Sequence, residues 1–340
     1  MSKVLILKND RVGDLFTSLT TISTLIRDSD SVKMYLSELN HHFNFFFEKA
    51  KVQKISYNLS LREKLEITYD IWKNKYDEVY ILTPKSYYFV LPVLFRKTKF
   101  YGIVYNGNKK PRPSLFLRKY LHKYLVLDRT KVNQYSYKES QQKLLGDAVK
   151  VDLGHENLVV PKARAMFTKL MTKEYIFFQF RYQFFKELNW DKSQFNKIIA
   201  FLKEKYEHVV FCSDFESNDE IKQYNQYFEK NFPVIDLNQG IKIEHDQNQG
   251  VYYLKDLGGI DMFYVIKHAK MNLAKHGVVS HIAFFHDVKF HELITWNLTH
   301  MSQIIEVKSF LSEWYKGMQR GYSFINNDLE KVLRKLKNQI

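Results

Sequence analysis

The sequence has few cysteines and no long apolar run. Its single cysteine, Cys212, cannot form an intramolecular disulfide, so we expect a reducing compartment. The longest apolar stretch, residues 87–95, contains Pro92 and is far shorter than the ~20 residues that a membrane-spanning helix needs. Charges also interrupt the N-terminal region before an apolar run reaches the length of a secretory signal. These absences predict a cytoplasmic protein whose contact with a membrane is at most peripheral.

The sequence has fewer acidic than basic residues. Lys and Arg total 52 against 37 Asp and Glu, which gives a formal net charge of +15. Such a charge favours an anionic partner: a nucleic acid, an acidic membrane surface or a phosphorylated small molecule. The sequence carries no RRM, helix-turn-helix or zinc-finger signature, so we expect no nucleic acid partner. The hydrophobic fraction of 45% and the charged fraction of 26% are ordinary for globular domains and exclude disorder.

Apolar runs alternate with helix-periodic segments along the whole chain. Residues 4–7 form a continuous apolar run, typical of a strand buried on both faces of a parallel sheet, and a helical apolar period follows it. The same alternation resumes after residues 149–161, which contain Gly, Asp and Pro. We therefore predict an α/β protein with two doubly wound, Rossmann-like domains facing a cleft, over residues 1–155 and 156–310, followed by a helical segment over 311–340.

The first candidate site follows the first strand, in the stretch KNDRVGD. Ligands of doubly wound sheets bind outside the carboxyl ends of the strands. Gly13 would permit a tight turn into the helix, and Asp14 would lie in the first helical turn, where a carboxylate can act as a general base. The alternative is that Asp14 only complements the helix dipole. The stretch has one glycine where a dinucleotide fingerprint needs three, which disfavours NAD chemistry.

The second candidate site lies in residues 272–283, NLAKHGVVSHIA. A short strand should run into a turn at Gly277, and a helix should begin near Val279. The free N–H groups at the start of that helix, with Ser280 and His281, would form a cradle for a diphosphate. The alternative is a capped helix that buries a histidine.

The sequence resembles a known family at several places. Residues 3–25, KVLILKNDRVGDLFTSLTTISTL, look like the opening of glycosyltransferase family 9, the lipopolysaccharide heptosyltransferase-like enzymes. Further segments resemble the family in the same order along the chain. The stretch LTPKS at 82–86 resembles a segment that follows a strand in the family, and Trp190 with Phe195 matches the start of the family's W-P-x-E-x-F helix. The stretch FCSDFE at 211–216 lies where the family has a G-G-P-x-E turn, and residues 257–283 resemble the family segment that ends in D-S-G-P-M-H-L-A or D-T-G-L-S-H-L-A.

The resemblance implies a GT-B architecture, in which the N-terminal domain binds the acceptor, the C-terminal domain binds a nucleotide-sugar, and the last helix returns to the first domain. It implies inverting transfer without a metal or other cofactor, with Asp14 as the base for the acceptor hydroxyl. ADP-heptose is the default donor. The family's acidic residue is replaced around Lys275 and His276, so other nucleotide-sugars stay open. A lipopolysaccharide or another cell-envelope glycan would be the acceptor.

The remaining site residues follow from these matches and from charge. For donor binding we select basic, turn and carboxylate residues of the second half: Arg181, Lys186, Glu216, His276, Gly277, Ser280 and His281. The match places Glu216 at the nucleoside ribose, where a carboxylate can accept two hydrogen bonds. For acceptor binding we select Arg11, Gly13, Ser86, Arg118 and Lys119. Ordinary solvated loop charges are the alternative for Arg181, Lys186 and Glu216.

The densest basic cluster spans residues 108–131, with eight Lys or Arg against the single acid Asp128. Tyr120, Leu121, Tyr124 and Leu125 would form the apolar side of a basic amphipathic helix. Such a helix would lie on the cytoplasmic face of the inner membrane or meet an anionic glycolipid acceptor. A solvated basic face is the alternative. For the whole chain, the alternative to an enzyme is a catalytically silent GT-B binding module in a polysaccharide assembly complex.

Overall fold

A computed structural model describes residues 2–106, 113–128, 137–146, 174–214, 218–236, 240–242, 250–255, 257–275, 277–295, 320–325 and 328–338. The chain divides into two compact units. The first contains Met1–Pro161 and His300–Gly317, and the second contains Lys162–Thr299 and Met318–Ile340. Over the residues just given, no helix combines the length and the apolar character needed to cross a membrane.

The first unit contains a six-stranded parallel sheet with the order β3-β2-β1-β4-β5-β6. Its strands are β1 (Lys3–Lys8), β2 (Ser31–Ser37), β3 (Lys51–Ile55), β4 (Glu78–Ile81), β5 (Lys99–Asn106) and β6 (Lys123–Asp128). The direction of winding reverses between β1 and β4. This reversal creates a switch point, and the loops after β1 and β4 form its edge.

Helices cover both faces of this sheet. They are α1 (Val12–Asp28), α2 (Leu61–Asn74), α3 (Leu91–Leu94), α4 (Leu115–Arg118) and α5 (Tyr137–Leu144), with short 3-10 helices at His41–Phe47 and Ser86–Phe89. Helix α2 begins with a capping box, in which Ser60 and Glu63 exchange side-chain to backbone hydrogen bonds. Its Ile67 and Ile71 pack in one core cluster with Leu5 and Leu7 of β1.

One local prediction in this unit is wrong. In place of the amphipathic helix through Tyr120 and Leu125, the chain turns at Tyr120 and continues as strand β6, which pairs in parallel with β5 along six residues of each strand. Pairing with β5 satisfies the backbone groups on one side of this edge strand, and this gain outweighs the helical spacing of its apolar residues. The apolar stretch at residues 87–95 forms the end of a 3-10 helix and the short helix α3, with Pro92 near the start of α3.

The second unit contains an eight-stranded sheet with the order β10-β9-β11-β8-β7-β12-β13-β14, parallel except for the β9–β10 pair. Its strands are β7 (Tyr175–Gln179), β8 (His208–Cys212), β9 (Val234–Asp236), β10 (Gly240–Lys242), β11 (Val251–Lys255), β12 (Met271–Lys275), β13 (Phe290–Thr295) and β14 (Arg320–Ile325). The switch point of this sheet lies between β7 and β12.

The helices of the second unit pack around an aromatic core. They are α6 (Tyr182–Glu187), α7 (Lys192–Lys205), α8 (Asp219–Asn231), α9 (Gly259–His268), α10 (Val278–Phe285) and α11 (Leu329–Lys337). Phe195 of α7 contacts Phe180, Phe211 and Phe228 with ring-centroid distances of 5.7, 5.2 and 4.7 Å. The predicted pair of doubly wound α/β domains is confirmed.

The last helix differs from the expectation that the C-terminal segment packs on the first domain. Leu329, Val332 and Leu336 of α11 are buried in the core cluster of the second unit. Two contacts join α11 to α7: Lys197 Nζ lies 3.4 Å from Glu330 Oε1, and Lys205 Nζ donates to the Lys337 carbonyl at 3.0 Å. The apolar stripe of α11 is therefore covered by its own unit.

Candidate functional site

A buried ion pair fixes the loop after β1. Lys8 is 0% exposed, and its ammonium lies 2.6 Å from Asp10 Oδ2. The Asn40 amide donates to Asp10 Oδ1 at 3.1 Å, and the Ser37 hydroxyl donates to the Asp10 carbonyl at 2.6 Å. Because both charges are desolvated and each has a close partner, this loop is held in one conformation.

Asn9 ties the same loop to two other segments. The Tyr88 hydroxyl donates to Asn9 Oδ1 at 2.7 Å, and Asn9 Nδ2 donates to the Ser56 carbonyl at 3.2 Å. Burial raises the pKa of the Tyr88 phenol well above its usual value, so the hydroxyl stays protonated and remains a donor. The loop after β1 is therefore held by hydrogen bonds with three other segments of the first unit: the end of β2, the residues after β3 and the 3-10 helix that contains Tyr88.

Asp14 lies in the first turn of α1, directly after this loop, and is half-buried. The Thr17 and Ser18 hydroxyls donate to its backbone carbonyl at 2.8 and 3.0 Å. Arg11 is the exposed N-cap residue, and Gly13 is the second residue of the helix instead of a separate turn. The structure thus brings Arg11, Gly13 and Asp14 together at the edge of the first switch point.

Lys85 joins this edge from the loop after β4, and the sequence analysis did not select it. Its ammonium donates to the Tyr57 carbonyl and lies 4.3 Å from the centroid of the Tyr57 ring. Burial lowers the pKa of Lys85, while Asp10, Glu38 and Glu63 act in the opposite direction. Ser86, which was selected, follows it at the start of a 3-10 helix and is exposed.

The two basic acceptor candidates of α4 and its C-cap have different environments. Arg118 is 5% exposed: its Nε donates to the Pro113 carbonyl at 3.2 Å and its Nη2 to Asn106 Oδ1 at 2.9 Å. These bonds commit its guanidinium to holding the local chain, which speaks against a binding role. Lys119 is exposed, with its ammonium 4.2 Å from the Phe116 ring centroid. Of Arg118 and Lys119, only Lys119 has an exposed charge.

Arg181 is the central cation of the second switch point. It follows β7, and its Nε lies 3.6 Å from Asp214 Oδ1, beyond β8. A Cβ atom at Gly277, after β12, would lie 3.3 Å from Arg181 Nη1. Glycine at position 277 therefore allows the guanidinium to approach the backbone. Through these contacts Arg181 connects the ends of three neighbouring strands.

Helix α10 begins directly after Gly277, close to the predicted start. The His281 N–H donates to the Gly277 carbonyl at 3.2 Å. The backbone N–H groups of Val278, Val279 and Ser280 therefore lie before the first hydrogen bond of the helical pattern. Ser280 is 1% exposed, and its hydroxyl has no hydrogen-bond partner among the described residues. His281 is buried beside it. Donor N–H groups, a buried hydroxyl and a guanidinium thus lie at one strand edge.

Two further polar residues at this edge were missed by the sequence analysis. Gln179, the last residue of β7, is 2% exposed, and neither atom of its amide has a hydrogen-bond partner in the described part of the chain. The hydroxyl of Ser213, directly after β8, is in the same situation. The signal available in the sequence was their position at the carboxyl ends of two buried strands.

The other donor candidates lie apart or outside the described residues. Lys186 is exposed on α6, with its ammonium 5.8 Å from the Tyr182 ring centroid. Lys275, which precedes the turn, pairs with Glu187 at 3.0 Å. Glu216 and His276 lie outside the described residues, so their roles stay predictions.

Comparisons with known proteins find similarity in structure alone. No protein-family model matches the chain, and no curated protein matches it by sequence. Among solved structures, the chain is similar to ADP-heptose LPS heptosyltransferase II of E. coli, with a TM-score of 0.62 and 13% identity over 99% of this chain and 98% of the other. It is equally similar to a family 9 glycosyltransferase from Veillonella parvula, with a TM-score of 0.62, 11% identity and coverage of 100% and 90%.

A third similar structure has another activity. It is a UDP-N-acetylglucosamine 2-epimerase, described as putative, from Listeria monocytogenes, with a TM-score of 0.58, 9% identity and coverage of 100% and 88%. The structural similarity establishes the fold, but sequence identities this low leave the reaction open. The likeness covers nearly the whole chain and agrees with the family 9 resemblance of the sequence. The chain therefore has the GT-B fold, with two Rossmann-like units of the kind found in heptosyltransferases.

Proposed function

We propose that this protein is a glycosyltransferase that moves a sugar from a nucleotide-sugar to a cell-envelope glycan. The observation that carries the proposal is the chemistry at the two switch points. The first presents a carboxylate, Asp14, directly after a rigid loop, and the second presents Arg181 with the start of α10. A base and an anion cradle are the two groups that transfer from a nucleotide-sugar requires.

The donor diphosphate binds at the second switch point in this proposal. The first N–H groups of α10, the buried Ser280 hydroxyl and the Arg181 guanidinium supply hydrogen-bond donors and positive charge. ADP-heptose is the first donor to test, because the similar E. coli structure is an ADP-heptose transferase. Glu216 would meet the ribose, and His276 and Lys186 would border the phosphates.

The transfer is a single inverting displacement in this proposal. Asp14 takes the proton of the acceptor hydroxyl while that oxygen attacks the anomeric carbon from the side opposite the diphosphate. The bond between the anomeric carbon and the diphosphate breaks, and the leaving anion keeps the electron pair at the cradle. No metal ion takes part. Arg11, Lys85 and Lys119 supply positive charge for an anionic acceptor such as a lipopolysaccharide core.

The experiment combines ligand binding with turnover. Thermal shift with ADP-, UDP- and GDP-sugars identifies the donor, since a ligand at 100 times its Kd stabilises by about 2.7 kcal/mol. We expect Asp14→Asn to bind that donor normally and to transfer its sugar about 10²–10⁴-fold more slowly. Asp28→Asn is the matched control, because Asp28 is an exposed acid at the other end of the same helix.

Each result has one interpretation. Unchanged turnover in Asp14→Asn would remove Asp14 as the base. A melting temperature that no nucleotide or nucleotide-sugar changes would refute the donor site. Donor binding without transfer by the unaltered protein would identify the alternative, a silent binding module. Conversion of UDP-N-acetylglucosamine to its 2-epimer would replace the transferase by an epimerase.

A further inference from the structure

Exposed hydrophobic side chains are concentrated on one part of the first unit. Among the described residues, eleven large hydrophobic residues are exposed, and all lie in that unit. Eight of them belong to α2, α3, α4 or the residue before α3, and we call these the outer helix face: Leu61, Leu65, Tyr69, Trp72, Val90, Leu94, Leu115 and Phe116. Such a concentration marks an interaction surface.

The three helices lie on one side of the sheet. The connections from β3 to β4, β4 to β5 and β5 to β6 proceed in the same direction, so right-handed crossovers place their helices on the same face. Their inner side chains meet one core cluster: Ile67 and Leu91 belong to it with Leu5 and Leu7 of β1, and the partly buried Leu117 packs against it. The outward side chains of α2, α3 and α4 therefore form the outer layer on that side of the sheet.

Helix α2 has two apolar faces. Ile67 and Ile71 are buried against the sheet. On another face Leu61, Leu65, Tyr69 and Trp72 follow at spacings of four, four and three residues and are 73, 62, 56 and 63% exposed. Packing against the core accounts for the buried face only, because a helix on the surface of a domain needs a single apolar face. The exposed apolar face therefore indicates a partner outside the unit.

Cations surround these hydrophobic residues. Over residues 61–75, 90–97 and 114–119 the exposed charged residues are one acid, Glu66, and six bases: Arg62, Lys73, Lys75, Arg96, Lys97 and Lys119. Several cations lie beside rings of the same layer: Lys73 is 5.8 Å from the Tyr69 ring centroid, and Lys119 is 4.2 Å from that of Phe116. Long basic side chains can thus cover the apolar layer while their charges point outward.

We propose that the outer helix face docks this protein on an anionic lipid bilayer. Leu65, Trp72 and Phe116 would enter the boundary between headgroups and acyl chains, where large apolar and amphipathic side chains are favoured. Lys73, Arg96 and Lys119 would meet the negative surface, and each such cation near an anionic membrane contributes about 1 kcal/mol. The docking itself requires no catalytic activity.

Charge distinguishes this occupant from a second copy of the chain. In a two-fold dimer the same patch meets itself, so the six cations of one copy would face those of the other. The single exposed acid, Glu66, already pairs with Arg62 at 2.9 Å. An anionic surface instead neutralises all of these cations together. Leucine and tryptophan side chains also suit hydrocarbon better than they suit a phosphate backbone.

The position of the face fits a lipid-linked acceptor. A helix that follows a parallel strand begins at the carboxyl end of that strand, so Leu61 and Leu115, the first residues of α2 and α4, lie towards the edge that holds Asp14. If the proposed transferase activity is correct, docking would bring the headgroup of the acceptor lipid to this edge. Failure of the transferase proposal would leave the docking inference intact.

Vesicle sedimentation tests the proposal directly. The full chain should bind vesicles of phosphatidylethanolamine and phosphatidylglycerol in equal parts and should bind phosphatidylcholine vesicles weakly. The double variant Leu65→Gln, Trp72→Gln should bind the anionic vesicles at least about tenfold more weakly. Lys73→Gln and Arg96→Gln should each weaken binding about fivefold. Leu39→Gln, an exposed leucine outside the face, and Lys230→Gln, an exposed lysine of α8, are the matched controls.

A second readout does not depend on a drastic variant. The fluorescence of Trp72, obtained as the difference between the parent protein and Trp72→Phe, should shift to shorter wavelength when anionic vesicles are added. No shift, or undiminished binding by the double variant, would overturn the proposal. Equal binding to phosphatidylcholine would overturn the role of the cations. A parent dimer that the double variant converts to a monomer would assign the face to a second copy instead.

Discussion

The two switch points of the molecule differ in how their buried polar groups are satisfied. In the first unit Lys8, Asp10, Asn9 and Asn40 each bond to one another or to the backbone of neighbouring segments, and the single atoms left without a partner among the described residues at this switch point are Asn40 Oδ1 and Thr83 Oγ1. In the second unit the amide of Gln179 and the hydroxyls of Ser213 and Ser280 find no hydrogen-bond partner within the described part of the protein.

This contrast indicates two kinds of site. A buried network in which each member has at least one partner is rigid, and a rigid loop can hold the carboxylate of Asp14 in place. Buried polar groups that find no partner among the described residues would lower stability, and their clustering at a strand edge indicates that a ligand forms the missing hydrogen bonds. On this view the first switch point positions a residue, and the second recognises a polar ligand.

The largest expected effect tests the rigid network. Asp10→Ala leaves the ammonium of Lys8 buried without its carboxylate, and loss of one partner of a buried ion pair costs about 3–5 kcal/mol. Chemical denaturation measures the change. The matched variant Asp214→Ala frees Arg181, whose side chain is 28% exposed and can be solvated, so we expect a loss of about 1 kcal/mol or less. Equal losses would contradict the contrast.

The sequence predicts local features of this molecule better than long-range ones. The apolar run at residues 4–7 and the helical period after it define β1 and α1, because both depend on the local order of residues. The position of Asp14 in the first turn of α1 is predicted correctly for the same reason. By contrast β6 forms through pairing with β5, and Arg118 is buried by contacts with Asn106 and Pro113, so their charge and apolar spacing were misleading.

The missed site residues show the same limit. Lys85, Gln179 and Ser213 carry no local motif, and each gains its place only when the order of strands in a sheet is known. Strand order follows from contacts between segments that are far apart in sequence, which a local pattern does not encode. Knowledge of the two reversals of winding would have drawn attention to the residue after each neighbouring strand.

A smaller effect tests the approach of Arg181 to the backbone. Gly277→Ala places a methyl group 3.3 Å from the guanidinium, closer than ordinary contacts, and should weaken donor binding about tenfold by displacing Arg181. Gly258→Ala is the matched control, because Gly258 also precedes a helix of the second unit and its added methyl would lie 3.7 Å from Asp261 Oδ2. Calorimetric titration with the donor compares the two. Equal affinities of the two variants for the donor would show that Gly277 is not part of the anion cradle.

The smallest effect tests the unpartnered amide itself. Gln179→Leu removes two polar atoms that make no hydrogen bond to the described residues, so without ligand the variant should be as stable as the parent or about 1 kcal/mol more stable. Asn9→Leu is its counterpart in the first unit. It leaves the Tyr88 hydroxyl and the Ser56 carbonyl without their partner and should cost about 1–3 kcal/mol.

Thermal melts with and without donor complete this comparison. Gln179→Leu should show a smaller rise in melting temperature with donor than the parent, because the ligand no longer meets the amide. Asn9→Leu should show the same rise in melting temperature as the parent, from a lower starting value, because the Asn9 amide bonds to the protein and not to the ligand. An undiminished rise in Gln179→Leu would mean that the unpartnered groups of the second switch point do not face the ligand. The contrast between the two units would then concern stability only.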